Sequence, residues 1–348
     1  MSASVAGPVG TPEEAERKRG LALEAADGYL VTSRRADVRW LLCGRGRPVD
    51  ASSPTAGYTV VLEENRARVL YADIEDPRVR AEERLDELGY DLEPYPWHLG
   101  PAVDDTRAVL DRVRLGLVEE ELARYRIAGA DVADAVRVAL PRLTADISEL
   151  DVAAELALEA RRRGFTTPVV LVAGDERQRV HRHPLPTESR LGRHALVAIT
   201  AEREGLYVSM TRLLAFGPAP PELRRLVRAA AEVDAEMLAA STPGTTTGEV
   251  LRVAAEAYRD RGYADEWRRH HQGGITGYRG REVFAVPDEP TRLPSACAVA
   301  WNPSITGGAK SEDTALVTES GVEVITRTPD LGELEVDGVP RPAIVELA

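Results

Sequence analysis

The sequence predicts an α+β fold in which a domain of two internally similar α/β halves, residues 118–348, follows a smaller α/β domain, residues 1–117. Three observations carry this expectation. Near Leu117 the texture changes from short strand-like runs to long Ala-rich helices, and the later part repeats its own order of elements. The chain has 348 residues and 43% hydrophobic composition, enough apolar material for two ordinary cores.

In the first part, VTSRRADVRWLLCGRG, GYTVVLEENRARVLYAD and DLEPYPWH read as strands and turns. DPRVRAEERLDELGY reads as an intervening helix, because its apolar residues recur at helical spacing. From Leu117 onward, VEEELARYRIAGADVADAVRVAL and SELDVAAELALEARRRG predict long helices, the second closed by Gly164. The repeat pairs TADISELDVAAELALEARRRGF with TPGTTTGEVLRVAAEAYRDRGY: a Thr-bearing turn, an acidic cap, an Ala-rich helix and a Gly-aromatic stop. Strand-like segments follow each copy, TPVVLVAG and HALVAITAEREGLYVSMTRLLAFG after the first, ACAVAWNP and TALVTESGVEVITRT after the second. Two such halves sharing one sheet place a site in the cleft between them.

Composition removes several classes. Lys and Arg number 44 against 57 Asp and Glu, a formal charge of −13, with the basic residues scattered, so nucleic acid is not an expected partner. MSASVAGPVGTPEEAERKRG lacks the apolar core of a signal peptide, and no later run approaches the ~20 apolar residues of a membrane span. A soluble, cytoplasmic protein is expected. Cys43 and Cys297 lie far apart, outside any zinc-ligand spacing, and are expected to be buried and reduced. There is no GxSxG nucleophile elbow and no GxxxxGK[ST] phosphate loop. Trp97 and Trp301 are read as packing residues.

Four stretches, HPLPTESRLGRHALVAI, GLYVSMTR, HHQGGITGYRGRE and KSEDTALVTESG, carry a resemblance by their order and spacing. The chain resembles the family of methionine aminopeptidase, prolidase, aminopeptidase P and creatinase. That resemblance implies the two-fold pita-bread catalytic domain and a creatinase-type N-terminal domain. The family's metallopeptidases hold two divalent ions with an Asp, a second Asp eleven residues on, a His and two Glu. Carried onto this chain, the aspartate positions fall at Ala198 and Ser209, and the Glu of a Glu-Pro pair at Asn302. His271 and Glu312 are the two ligand types that remain. One imidazole and one carboxylate do not make a bridged two-ion site, so no metal and no cofactor is expected. Recruitment of Glu202, Glu204 or Asp313 is the way a metal would be kept.

Creatinase, a metal-free member, uses a histidine to move protons while a C–N bond is cleaved. The corresponding stretch here is RVHRHPLPTESRLGR, where two histidines compete. His183 has the Pro-Thr context, whereas His181 keeps the spacing to Gly192. An imidazole, with an ordinary pKa of ~6.5, takes a proton from water and returns it to a leaving nitrogen. His183, His271 and Glu312 are therefore the candidate catalytic residues, with His181 the alternate base or a substrate contact. His271 is expected to orient the substrate or donate to an oxyanion, and Glu312 to hold an imidazolium or a substrate N–H.

Candidate substrate-binding residues are Thr211, Tyr278, Arg281 and Arg45. Thr211 falls where creatinase has a Glu that grips a guanidinium, so creatine itself is not the expected substrate. Tyr278 and Arg281 lie in YRGRE, similar to creatinase's Tyr-Tyr-Gly-Arg-Glu, with Arg281 and Glu282 equally readable as an ion pair. Arg45 and Arg47 in CGRGRP lie where the resemblance brings a dimer partner's first domain toward the site. A homodimer and a small-molecule substrate are the expected partners. The function expected is metal-independent, creatinase-like hydrolysis of a C–N bond. Its alternatives are other metal-free proton-transfer chemistry, such as elimination, decarboxylation or rearrangement, and a catalytically silent binding or scaffold role.

Overall fold

A computed structural model describes residues 10–101 and 108–347; residues 1–9 of the N-terminal stretch weighed above lie outside them. The chain separates into two compact units. The first runs to Arg124 and is joined by Arg203–Leu206 and Gly277–Arg279; the second comprises Tyr125–Glu202, Tyr207–Thr276 and Gly280–Ala348.

In the first unit, helix α1 (Pro12–Ala25) starts where Thr11 accepts from the Glu14 amide, with Pro12 fixing the first turn. Strands β1 (Tyr29–Arg34), β2 (Thr55–Glu63), β3 (Arg66–Ala72) and β4 (Asp91–Tyr95) form one sheet in chain order. The first three pair antiparallel and β4 lies parallel to β3.

Two sequence expectations change here. Arg35–Leu41 is a helix, α2, although its β-branched and aromatic residues read as strand; Val38, Trp40 and Leu41 are buried, so tertiary packing decides. The stretch 76–90, read as one helix, is broken into the single turn α3 (Asp76–Arg78), a π-turn (Val79–Glu83) and a 3₁₀ turn (Leu85–Leu88). Arg84, at φ +49°, makes the break. The break aims the buried Glu83 carboxylate at the Gly46 and Arg47 amides, which gives the CGRGRP loop its anchor.

The second unit holds the repeat. Helix α4 (Glu119–Ala139) leads into α5 (Glu149–Arg162), β5 (Thr166–Gly174), α6 (Asp175–Val180), β6 (His194–Arg203) and β7 (Leu206–Phe216). The second half has α7 (Pro221–Ala240), α8 (Thr247–Asp260), β8 (Gly273–Thr276), β9 (Val283–Phe284) and β10 (Ala296–Trp301). It continues with β11 (Ser304–Ile305), β12 (Ala309–Lys310), β13 (Asp313–Thr318), β14 (Gly321–Val324), β15 (Glu333–Val336), β16 (Val339–Pro342) and β17 (Ile344–Leu347).

The two copies match in detail. α5 and α8 are both 14 residues long, capped by the Ser148 and Thr246 hydroxyls. Each cap residue forms an isolated bridge to an arginine, Arg190 in one half and Arg292 in the other. Each helix ends on a glycine of positive φ, Gly164 at +83° and Gly262 at +81°. The Phe165 and Tyr263 amides then donate back to the Ala160 and Tyr258 carbonyls.

The first half builds the sheet β17-β7-β6-β5, to whose edge the C-terminal strand β17 returns parallel to β7, and the second half builds β14-β13-β10-β8-β9. They meet where the Thr211 amide of β7 donates to the Glu312 carbonyl just before β13. Arg212 fixes that junction, donating to Asp313, Thr328 and the Thr326 carbonyl while itself buried. Among the described residues, no helix is long and apolar enough to cross a membrane. Cys43 and Cys297 are free and buried, and burial pushes both thiols up to about 12.

Candidate functional site

His271 is placed by the glycines that follow it. Gly273, at φ +96°, faces Trp301 across β8 and β10, and a Cβ there would lie 2.1 Å from the Ala300 carbonyl oxygen. At Gly274 a Cβ would meet the Val283 carbonyl oxygen at 1.9 Å. Only a glycine pair lets three strands close so tightly beside the histidines. Between His271 and Gly273, the Gln272 side chain donates to the His270 carbonyl at 2.6 Å and accepts from Tyr258 of α8 at 2.9 Å.

His183 arrives from the loop after α6. Its neighbour Arg182 donates to Ser304 at 3.0 Å, to Thr306 at 2.8 Å and to Glu266, which stands at the start of the turn leading to the histidine pair. The result is a cluster the sequence reading did not contain. His183 Nε2 and His270 Nε2 are 2.9 Å apart, so one carries the hydrogen and the other accepts it. His271 stacks on both, with ring centroids 5.4 Å from His183 and 4.4 Å from His270, and meets Phe284 edge-on. His270 is buried, His271 half-buried and His183 exposed.

Burial pushes His270 down to about 2 and His271 down to about 4, with Lys310 and the neighbouring rings adding to both shifts and Arg281 to that of His271. His183 is lowered by burial and then by Lys310, while Glu312 opposes the shift in all three rings. The cluster is therefore neutral at pH 7. In the unfolded chain these rings bind protons near pH 6.5, whereas the folded His271 waits until about pH 4, so unfolding takes up protons in between. Stability should fall as pH drops from ~6.5 toward ~4, read as a lower urea midpoint at pH 5 than at pH 7. His271→Gln should reduce that difference while leaving the share of His270; a wild-type midpoint equal at both pH values would contradict it.

Glu312 is buried and fully engaged. Oε2 takes the Lys310 ammonium at 2.7 Å and the Thr211 hydroxyl at 2.7 Å, and Oε1 takes Arg281 at 3.1 Å. Burial alone would raise its pKa; Lys310 and Arg281 more than offset this and hold it at about 2. These contacts bring three of the predicted residues together: Glu312 holds Lys310 and Arg281, and Thr211 donates to Glu312. The Arg281 Nε and the Nδ1 atoms of His270 and His271 are buried without a protein partner.

Two substrate expectations find their side chains engaged within the first unit. Tyr278 donates to Glu121 at 2.7 Å and lies 3.2 Å from the Lys18 ammonium, inside a buried network that includes Glu14 and Arg124. Arg45 donates to the carbonyls of Arg84 and Gly10 and pairs with Glu87. His181 is exposed at the end of α6, outside the histidine cluster.

The remaining positions carried over from the resemblance are all buried. Ala198 offers no donor atom, the Ser209 hydroxyl bonds Thr200 at 2.9 Å, and the Asn302 Oδ1 has no protein partner. His270 and Lys310 are the two site residues that sequence reasoning missed. The His-His doublet before a glycine pair was a signal for the first. A lysine two residues before the retained Glu, in KSEDT, was a signal for the second.

Residues 123–319 match the family described as metallopeptidase family M24. A Xaa-Pro dipeptidase of Pyrococcus furiosus is 26% identical over 241 residues, 65% of this chain and 66% of that protein, so the chain spans just under two thirds of its relative's length. An agropine synthesis cyclase of Rhizobium rhizogenes is 33% identical over 116 residues, 31% of this chain and 28% of that one. Among solved structures, dipeptidase PepE from Mycobacterium ulcerans superposes with a TM-score of 0.73 at 19% identity, covering 97% of this chain and 100% of that one. The architecture is thus the pita-bread fold expected from the sequence. With more than half of its length under that description, the chain belongs to metallopeptidase family M24.

Proposed function

We propose that the chain is a hydrolase of C–N bonds in small molecules that works by imidazole proton transfer, without the two-ion centre of the family's metallopeptidases. The engagement of Glu312 carries this reading. A carboxylate whose oxygens already accept from Lys310, Arg281 and Thr211 has little left for a divalent ion. Hard cations need several anionic oxygens to offset dehydration, and Ala198, Ser209 and Asn302 supply none. The residues present do not fit the two-ion group.

His183, exposed and holding a neutral ring, takes a proton from water as the water oxygen bonds to the carbonyl or amidine carbon. The C–N bond then breaks and the same proton passes to the leaving nitrogen. Lys310 and Arg281 place positive charge beside the developing negative charge, and Glu312 fixes both cations. His270 orients His183 through their shared hydrogen. The test is turnover of a panel of small amides and amidines by chelator-treated protein. Turnover should persist without metal and should not rise when manganese or cobalt is returned; activity only on reconstitution would sink the reading.

A second reading is ring closure, favoured by the match to a relative named as an agropine synthesis cyclase. The same proton-transfer groups serve either course. Product analysis separates them, since hydrolysis incorporates labelled water oxygen and cyclisation does not.

A further inference from the structure

We propose that His183, His270 and His271 form a site for one divalent transition ion of the zinc class, distinct from a bridged two-ion centre. One nitrogen from each ring falls within 4.8 Å of the others. Four-coordinate zinc has metal–nitrogen bonds of about 2.0–2.1 Å, which puts ligand nitrogens roughly 3.3 Å apart. The His183–His270 pair, at 2.9 Å, needs to widen slightly, and the His271 ring, stacked on both, has to turn so that its nitrogen faces theirs. An ion there replaces the hydrogen the two rings share, and the exposed His183 side lets it in.

The donor set selects the ion. Three imidazoles without a carboxylate suit zinc, cobalt, nickel or copper and disfavour magnesium, calcium and manganese. Two buried Nδ1 atoms without a protein partner, on His270 and His271, leave lone-pair or N–H capacity unused beside the site. Lys310 and Arg281 face Glu312 nearby, two cations against one carboxylate, so an incoming ion is opposed electrostatically and held less tightly than in thiolate sites.

Occupancy withdraws the His183 lone pair, so on the hydrolase reading above such an ion inhibits. The binding itself does not rest on that reading. Loss of turnover in metal-free protein would remove the hydrolase and leave the ion titration standing.

The experiment is titration of chelator-stripped full-length protein with Co²⁺, read by visible absorbance, then displacement by Zn²⁺. The expected result is one ion per chain with the intense bands of four-coordinate cobalt. His270→Ala should weaken binding at least about 10-fold, the lower end of what loss of even an outer-shell partner costs. His181→Ala should leave it unchanged. His183→Ala, at an exposed position, makes the same cut if His270→Ala fails to fold. Two ions per chain, no cobalt bands, or equal affinity in wild type and His183→Ala would overturn the proposal.

Discussion

Glu312→Gln is expected to lower unfolding free energy by about 3–5 kcal/mol, the cost of breaking a buried ion pair by removing one partner. Here the removed charge faces two cations, Lys310 at 2.7 Å and Arg281 at 3.1 Å, all with nearly inaccessible side chains. Glutamine keeps the volume and an acceptor for Thr211, so the loss isolates charge from packing. Lys310→Met should cost less, because Arg281 still neutralises Glu312. Urea unfolding at pH 7 measures both. A Glu312→Gln loss below about 1 kcal/mol, the level of an exposed pair, would show that the three groups are not electrostatically coupled.

The second large effect concerns the two candidate bases. His183→Ala should reduce turnover of an identified substrate by about 10²–10⁴-fold, the contribution of a positioned general acid or base. His181→Ala should change it by less than about 10-fold, since His181 lies outside the cluster. Comparable losses in both variants, or a greater loss in His181→Ala, would reverse the assignment. The proposed choice of His183 rests on the His270 ring 2.9 Å from it.

What the sequence revealed follows the range of each interaction. α5 and α8 were readable because their determinants are local: a Ser or Thr cap at one end, a glycine of positive φ at the other. α2 was not, because its start at Arg34 has no side-chain cap and its helicity is decided by burying Trp40 and Leu41 in the first unit's core. The break at Arg84 answers to Glu83 reaching two amides 36 and 37 residues earlier, which no window of periodicity contains.

The site divides along the same line. His271 and Glu312 stand in recognisable strings, so their positions were legible. Their partners were not: His183 meets His270 across 87 residues, and Thr211 meets Glu312 across 101. Lys310 is close to Glu312 in sequence, yet nothing local to KSEDT shows that both charges are buried together. Burial is what converts it into a site cation.

Gln272 and Arg182 fasten the two sides of the cluster to different elements. By gripping the His270 carbonyl and the Tyr258 hydroxyl, Gln272 fastens the doublet's backbone to α8, and the Tyr258 hydroxyl also accepts from the Ser304 amide. The third ring is held by its neighbours: the Arg182 side chain donates to Ser304, Glu266 and Thr306, and the Pro184 carbonyl accepts from the Val172 amide of β5. The doublet is thus tied through Tyr258 of α8 and the His183 loop through Glu266, Ser304 and Thr306, so a change at Tyr258 and a change at Arg182 reach opposite sides of the same cluster.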